Sequence, residues 1–128
     1  MRLSRRQLMA AATAALVQPG VSRAASQVVQ VNLPASPTAF VPAEVRVRVG
    51  DTVEWTSESI VLHTVTCDPA KVEDKSHVSL PDGAVPFDSG DINLDGTWRH
   101  VFTVPGAYRY VCVYHQDMGM VGTVIVSA

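Results

Sequence analysis

Beyond residue 24, apolar and polar side chains alternate along much of the chain. Val45, Val47 and Val49 are separated by Arg46 and Arg48 and preceded by Glu44, which is the two-residue period of a strand buried on one face. Gly50-Asp51 turns the chain, and Thr52-Val53-Glu54-Trp55 resumes the alternation. The same reading predicts strands over Val28–Leu33, Leu62–Cys67, Thr97–Val104, Ala107–Val111 and Gly122–Val126, divided by turn signals such as Pro105-Gly106. About seven short strands in about a hundred residues, with no long amphipathic helix, predict an all-β Greek-key sandwich. Residues 68–95 break the pattern. They hold Pro69, Pro81, Gly83, Pro86 and Gly90, and they read as one long loop with a single helical turn. The chain shows neither internal repeats nor low-complexity segments.

Residues 1–24 follow other rules. Arg2, Arg5 and Arg6 precede a short apolar stretch, Leu8–Val17, and Ser22-Arg23-Ala24 places small residues at a cleavage site. This is the layout of an export signal, and Ser4-Arg5-Arg6-Gln7-Leu8-Met9 is similar to the twin-arginine export motif. The domain proper is therefore expected over residues 25–128, exported to the periplasm or to a thylakoid lumen or other extracytoplasmic face.

Loss of that segment changes the charge. The chain of 128 residues carries 10 Lys+Arg and 12 Asp+Glu, and four arginines but no acid lie before residue 25; the remaining 104 residues carry 6 basic against 12 acidic groups, a formal charge of −6. Seven of the acids fall in one stretch: Asp68, Glu73, Asp74, Asp82, Asp88, Asp91 and Asp95, opposed there by Lys71 and Lys75. That balance excludes nucleic acid as a partner. It reads either as a solvated loop or as a face that steers a basic partner. The length allows one small domain, and no apolar run is long enough for membrane insertion. Two cysteines allow one disulfide at most.

The chemistry gathers near the C-terminus. Beyond residue 24 the methionines are Met118 and Met120, both within five residues of His115, and Cys112 lies three residues before it. Thiolate, imidazole and thioether on one loop are a soft donor set suited to copper. One loop cannot surround a metal, so a second imidazole is required from elsewhere, and His63, at the head of a predicted strand, is the best candidate. Two His, one Cys and a weak axial Met make a trigonal blue-copper site. Cys67 would lie about 13 Å beyond His63 at a rise of roughly 3.3 Å per residue, too far to share its metal or to pair with Cys112. It reads as a buried thiol, His100 as a packed or rim residue, and His77 as part of the acidic loop.

At these residues the chain resembles the plastocyanin-like cupredoxins. Phe40-Val41-Pro42, Val45-Arg46-Val47 and Gly50-Asp51-Thr52-Val53-Glu54-Trp55 look like that family's early strands, and His63-Thr64-Val65 stands where its first ligand does. Pro105 to Cys112 resembles the approach to its ligand loop, and Met120-Val121-Gly122 to Val126 the exit. The resemblance implies a cupredoxin Greek-key β-sandwich of about seven to eight strands with one type 1 copper ion on His63, Cys112, His115 and Met120. It selects Met120 over Met118 because the family's axial Met stands eight residues after the Cys and is followed by x-Gly; a shorter, amicyanin-like loop would select Met118.

The resemblance further implies an electron carrier rather than an enzyme. Its partners would be redox proteins such as a c-type cytochrome, a reductase or a photosystem, and it would act as a monomer. The alternative is a periplasmic copper-trafficking or storage protein, which would display Met and Cys. A fragment of a copper oxidase would need more than the four histidines present. Three departures from the family bear on tuning. Tyr114 replaces a common Pro and is expected to offer an N–H donor toward the Cys112 sulfur. Thr64 and Val113 replace an Asn and a Ser/Thr that tie the two ligand segments, so the tie is expected to be altered or missing. Cys67 replaces a core aromatic.

Overall fold

The computed structural model describes residues 25–128; the export signal expected over residues 1–24 lies outside the described residues. Eight strands follow in order: β1 (Val28–Leu33), β2 (Glu44–Arg48), β3 (Thr52–Ser57), β4 (Thr66–Cys67), β5 (Phe87–Asp88), β6 (Thr97–Val101), β7 (Gly106–Val111) and β8 (Val121–Ser127). They form a three-stranded sheet, β1-β3-β6, and a five-stranded sheet, β2-β8-β7-β4-β5. The pairs β1·β3 and β2·β8 are parallel, and the others are antiparallel. This is the expected all-β Greek-key sandwich.

Alternation places the core. Val45 and Val47 of β2, Val53 and Trp55 of β3, Tyr108 and Tyr110 of β7, and Val124 and Val126 of β8 are all buried. Most of their neighbours in sequence are exposed or half-buried, as the period of two requires; Val111, at the ligand-loop end of β7, is buried next to Tyr110. Trp55 Nε1–H donates to the Tyr110 hydroxyl at 3.0 Å, which gives both large rings a polar partner inside the core. Gly122 faces Tyr110 across β7 and β8, and a Cβ there would overlap the Tyr110 ring. A side chain at that position would push apart the strands that flank the ligand loop.

Two expectations are corrected. The predicted strand Leu62–Cys67 is a strand only at Thr66–Cys67, and His63 joins the sheet edge through a single bridge to Ile92. The reason is local. The Thr64 amide donates to the Cys112 sulfur and the Val65 amide to Ser89 Oγ, so these amides serve side chains instead of a ladder. Burial also departs from alternation here: residues 63–67 are buried consecutively, because the segment is covered on both faces. The predicted strand Thr97–Val104 ends at Val101.

The predicted loop 68–95 contains β5 and two short 3₁₀ turns, Pro69–Lys71 and Lys75–His77. Asp68 and Asp74 cap those turns by accepting from the amides of Ala70 and Ser76. Two of the seven acids in that segment are therefore turn-building residues. Among the described residues, no helix is long and apolar enough to cross a membrane.

Candidate metal centre

Two segments distant in sequence meet at one end of the sandwich. Residues 63–67 lead into β4, and residues 112–120 connect β7 to β8. A hydrogen bond from the Cys112 amide to the Met120 carbonyl (3.1 Å) closes the base of the second segment. Within it, the Gln116–Met118 turn ends at Gly119, which takes a left-handed conformation (φ 76°) that glycine adopts without strain. Met120 N–H then returns to the His115 carbonyl at 3.3 Å. The loop is folded back on itself, and this brings residues 112, 115 and 120 to one side.

His63, Cys112 and His115 each offer one ligand atom, and these atoms all lie within 4.8 Å of one another. Cys112 Sγ is 3.7 Å from His63 Nδ1 and 3.3 Å from His115 Nδ1. His63, Cys112 and Met120 are buried, whereas His115 is partly exposed. Burial, and then the neighbouring His115, push the His63 pKa below its ordinary value. Both effects favour the neutral ring, the form whose lone pair a metal requires. Two imidazoles and a thiol converging on one point, two of the three residues buried, suit copper; Met120, buried on the same loop, can add a thioether. The fit comes from the donor set itself.

The two methionines part company. Met120 is 1% exposed and Met118 is 61% exposed, so the loop places Met120 in the interior and Met118 in solvent. The sulfur contacts also differ from expectation. Among the described residues the amide that meets Cys112 Sγ is that of Thr64, at 3.4 Å, and not that of Tyr114. Tyr114 instead donates its hydroxyl to Asp91 at 2.6 Å. The tie between the ligand segments is altered and present, since Val113 N–H donates to Thr64 Oγ1 at 3.0 Å. A main-chain donor takes the place of a side chain at position 113, a substitution that residue types alone do not reveal.

The remaining residues singled out by sequence lie elsewhere. Cys67 is buried, and its thiol donates to the Arg109 carbonyl at 3.2 Å. Burial, with Asp68 nearby, pushes its pKa up to about 12, so it is an inert thiol. Both cysteines are free. His100 packs among Phe87, Trp98 and Phe102, its ring centroid 4.2 Å from that of Phe87. His77 lies near Asp74, and Gln116 Nε2 reaches its Nδ1 at 3.1 Å and the Asp74 carbonyl at 2.8 Å. The acidic segment thus touches the ligand loop, a contact the sequence reading missed and no motif announces.

Residues 27–127 match the family of copper binding proteins described as plastocyanin/azurin. A plastocyanin from Nostoc punctiforme is 31% identical over 97 residues, covering 70% of this chain and 65% of its own length. The chloroplastic plastocyanin of Tetradesmus obliquus is 35% identical over 89 residues, covering 69% of this chain and 58% of its own. A purple cupredoxin from Nitrosopumilus maritimus superposes with a TM-score of 0.58 at 26% identity, over 77% of this chain and 99% of that one. The chain spans somewhat less than two thirds of the length of the curated relatives it matches. It belongs to the plastocyanin/azurin family of copper-binding proteins, as a plastocyanin-like cupredoxin, and its cofactor is one type 1 copper.

Proposed function

We propose that this protein is a one-electron carrier in which His63, Cys112, His115 and Met120 hold the copper. The observation that carries the reading is the convergence of a buried His, a buried Cys and a partly exposed His from two distant segments to within 4.8 Å. Bound copper supplies reversible one-electron chemistry between Cu(II) and Cu(I). Cys112 contributes the strong thiolate donor, and the Thr64 N–H aimed at its sulfur moderates that donation. His63 and His115 would supply the two imidazole nitrogens, and the buried Met120 the weak thioether donor.

His115, the ligand open to solvent, is the port for electrons. Ile60, Val61 and Leu62 precede His63 in sequence, Tyr114 adjoins His115 and Met118 follows it, and all five are exposed. They form an apolar surface for weak, short-lived docking of a redox protein such as a c-type cytochrome, a reductase or a photosystem. The acidic segment supplies long-range steering of a basic partner. The protein acts as an exported monomer, in the periplasm or an equivalent extracytoplasmic compartment. A trafficking or storage role would need exposed Met and Cys together, and among the described Met and Cys residues only Met118 is exposed.

The test is a visible spectrum of the copper-loaded protein through a cycle of reduction and reoxidation. Intense thiolate-to-Cu(II) absorption that bleaches and returns supports the carrier; its absence from a stoichiometrically loaded protein overturns it. Transfer rates to a basic cytochrome should fall as salt shortens the Debye length to about 8 Å near physiological ionic strength. A flat rate would leave the acids as a solubility feature.

A further inference from the structure

A chain of hydrogen bonds leaves the metal centre through the protein interior and ends on a carboxylate that no ligand touches. Val113 N–H donates to Thr64 Oγ1 (3.0 Å), Thr64 Oγ1 lies 2.8 Å from Thr66 Oγ1, and Thr66 Oγ1 donates to Asp88 Oδ1 (2.8 Å). Both threonines are buried. Asp88, on the edge strand β5 opposite Thr66, is partly exposed and also accepts from Gly90 N–H and Lys71 Nζ.

The far end fixes the direction of the chain. A carboxylate only accepts, so the single Thr66 hydroxyl proton points at Asp88. The Thr66 oxygen must then accept from the Thr64 hydroxyl, and the Thr64 oxygen is left to accept from Val113 N–H. Each bond polarises the next. Burial raises the Asp88 pKa, but the bonds from Thr66, Gly90 and Lys71 outweigh it and leave the group below the ordinary carboxylate value. The anchor is therefore charged at neutral pH. Thr64 grips the ligand loop at two adjacent points, accepting from the Val113 amide and donating its own amide to Cys112 Sγ.

We propose that Asp88 is a positioning residue for the metal centre, acting through Thr66 and Thr64 to hold the Cys112–Val113 backbone and the Thr64 N–H···Sγ bond in place. The proposal rests on the ligand assignment above, but the clamp itself is a property of the protein without metal. Removing the acceptor leaves one buried hydroxyl proton without a partner, and the relay no longer has a fixed direction. An N–H dipole aimed at the thiolate favours the more electron-rich, reduced state. A slackened relay therefore lowers the reduction potential.

The test compares Asp88→Ala, Asp88→Asn, Thr66→Val and Lys71→Met in the full chain. In the metal-free protein, amide exchange at Val113 is measured against that at Tyr110, a core reference. Asp88→Ala and Thr66→Val should each speed Val113 relative to Tyr110 by roughly five-fold, the loss of one ordinary hydrogen bond. The double variant should add nothing, since both break one chain. Asp88→Asn keeps a carbonyl oxygen facing Thr66 and should retain protection, as should Lys71→Met. With copper bound, Thr66→Val, which changes no charge, should lower the potential, and Asp88→Ala should lie below Asp88→Asn. Wild-type Val113 protection in Asp88→Ala overturns the proposal. So does Asp88→Asn behaving as Asp88→Ala does, because the charge and not the relay would then matter. Failure to form a blue site with Val113 responding as stated would count against the ligand assignment alone.

Discussion

His63 is 1% exposed and sits in a segment whose polar groups are committed on every side. Its own amide and carbonyl pair with Ile92, the next amide meets the Cys112 sulfur, and the one after meets Ser89. His115 is partly exposed, on a loop tied by its own turn and by side-chain contacts at its surface, from Gln116 to Asp74 and His77 and from Tyr114 to Asp91. The two imidazoles are chemically alike, and Cys112 Sγ lies within 3.7 Å of both ring Nδ1 atoms. The difference lies in what holds them. One wall is part of the core and imposes a position; the other is a rim that leaves part of an imidazole open to solvent. A carrier needs both, because rigidity on all sides would bury the port and mobility on all sides would lose the geometry.

The most severe way to break this comparison is to remove the atom both walls share. Cys112→Ser should abolish the intense visible absorption, because a hydroxyl is a far weaker and harder donor than thiolate; retention of the band in a loaded sample would contradict the assignment. A sharper division comes from paired glycine variants. Both His63→Gly and His115→Gly should lose the native spectrum. Added imidazole should restore it in His115→Gly, where solvent reaches the site, and fail in His63→Gly, where it does not. Equal rescue in both would mean that the buried wall is no more closed than the rim.

Within the ligand loop, Met120→Leu should keep the colour and shift the potential, and Met118→Leu should leave both unchanged. A shift confined to Met118→Leu would transfer the axial role to the exposed sulfur. The smallest effect is expected at the outer tie. Gln116→Ala removes its bonds to Asp74 and His77 and should cost about 1 kcal/mol or less in denaturant unfolding, with the potential unmoved. A changed potential would show that the acidic turn helps to set the ligand geometry.

Much of this was legible along the chain. The period of two gave the strands and their buried faces, because side-chain direction in a strand depends only on parity. The soft donors were legible too, since Cys112, His115 and Met120 share one loop and spacing within a loop survives folding. The brevity of β4 was not legible. Val65 and Thr66 look like strand interior, and only the arrival of Cys112 and Ser89 diverts the amides of Thr64 and Val65. Nor was β5, two residues in a segment rich in Pro and Gly that become a strand by pairing with β4.

The sequence by itself determined the sandwich and the donor types, for these follow from local periodicity and residue chemistry; the preference for Met120 over Met118 came from the family resemblance. Only the tertiary structure decided which amide meets the sulfur, what replaces the missing tie, and where the buried hydroxyl chain ends. Val113 and Thr64 are 49 positions apart and Thr66 and Asp88 are 22 apart. Whether such groups meet depends on the register of strands from distant parts of the chain, and a hydrogen bond with a tolerance of a few tenths of an ångström leaves no periodic trace in the residues that make it.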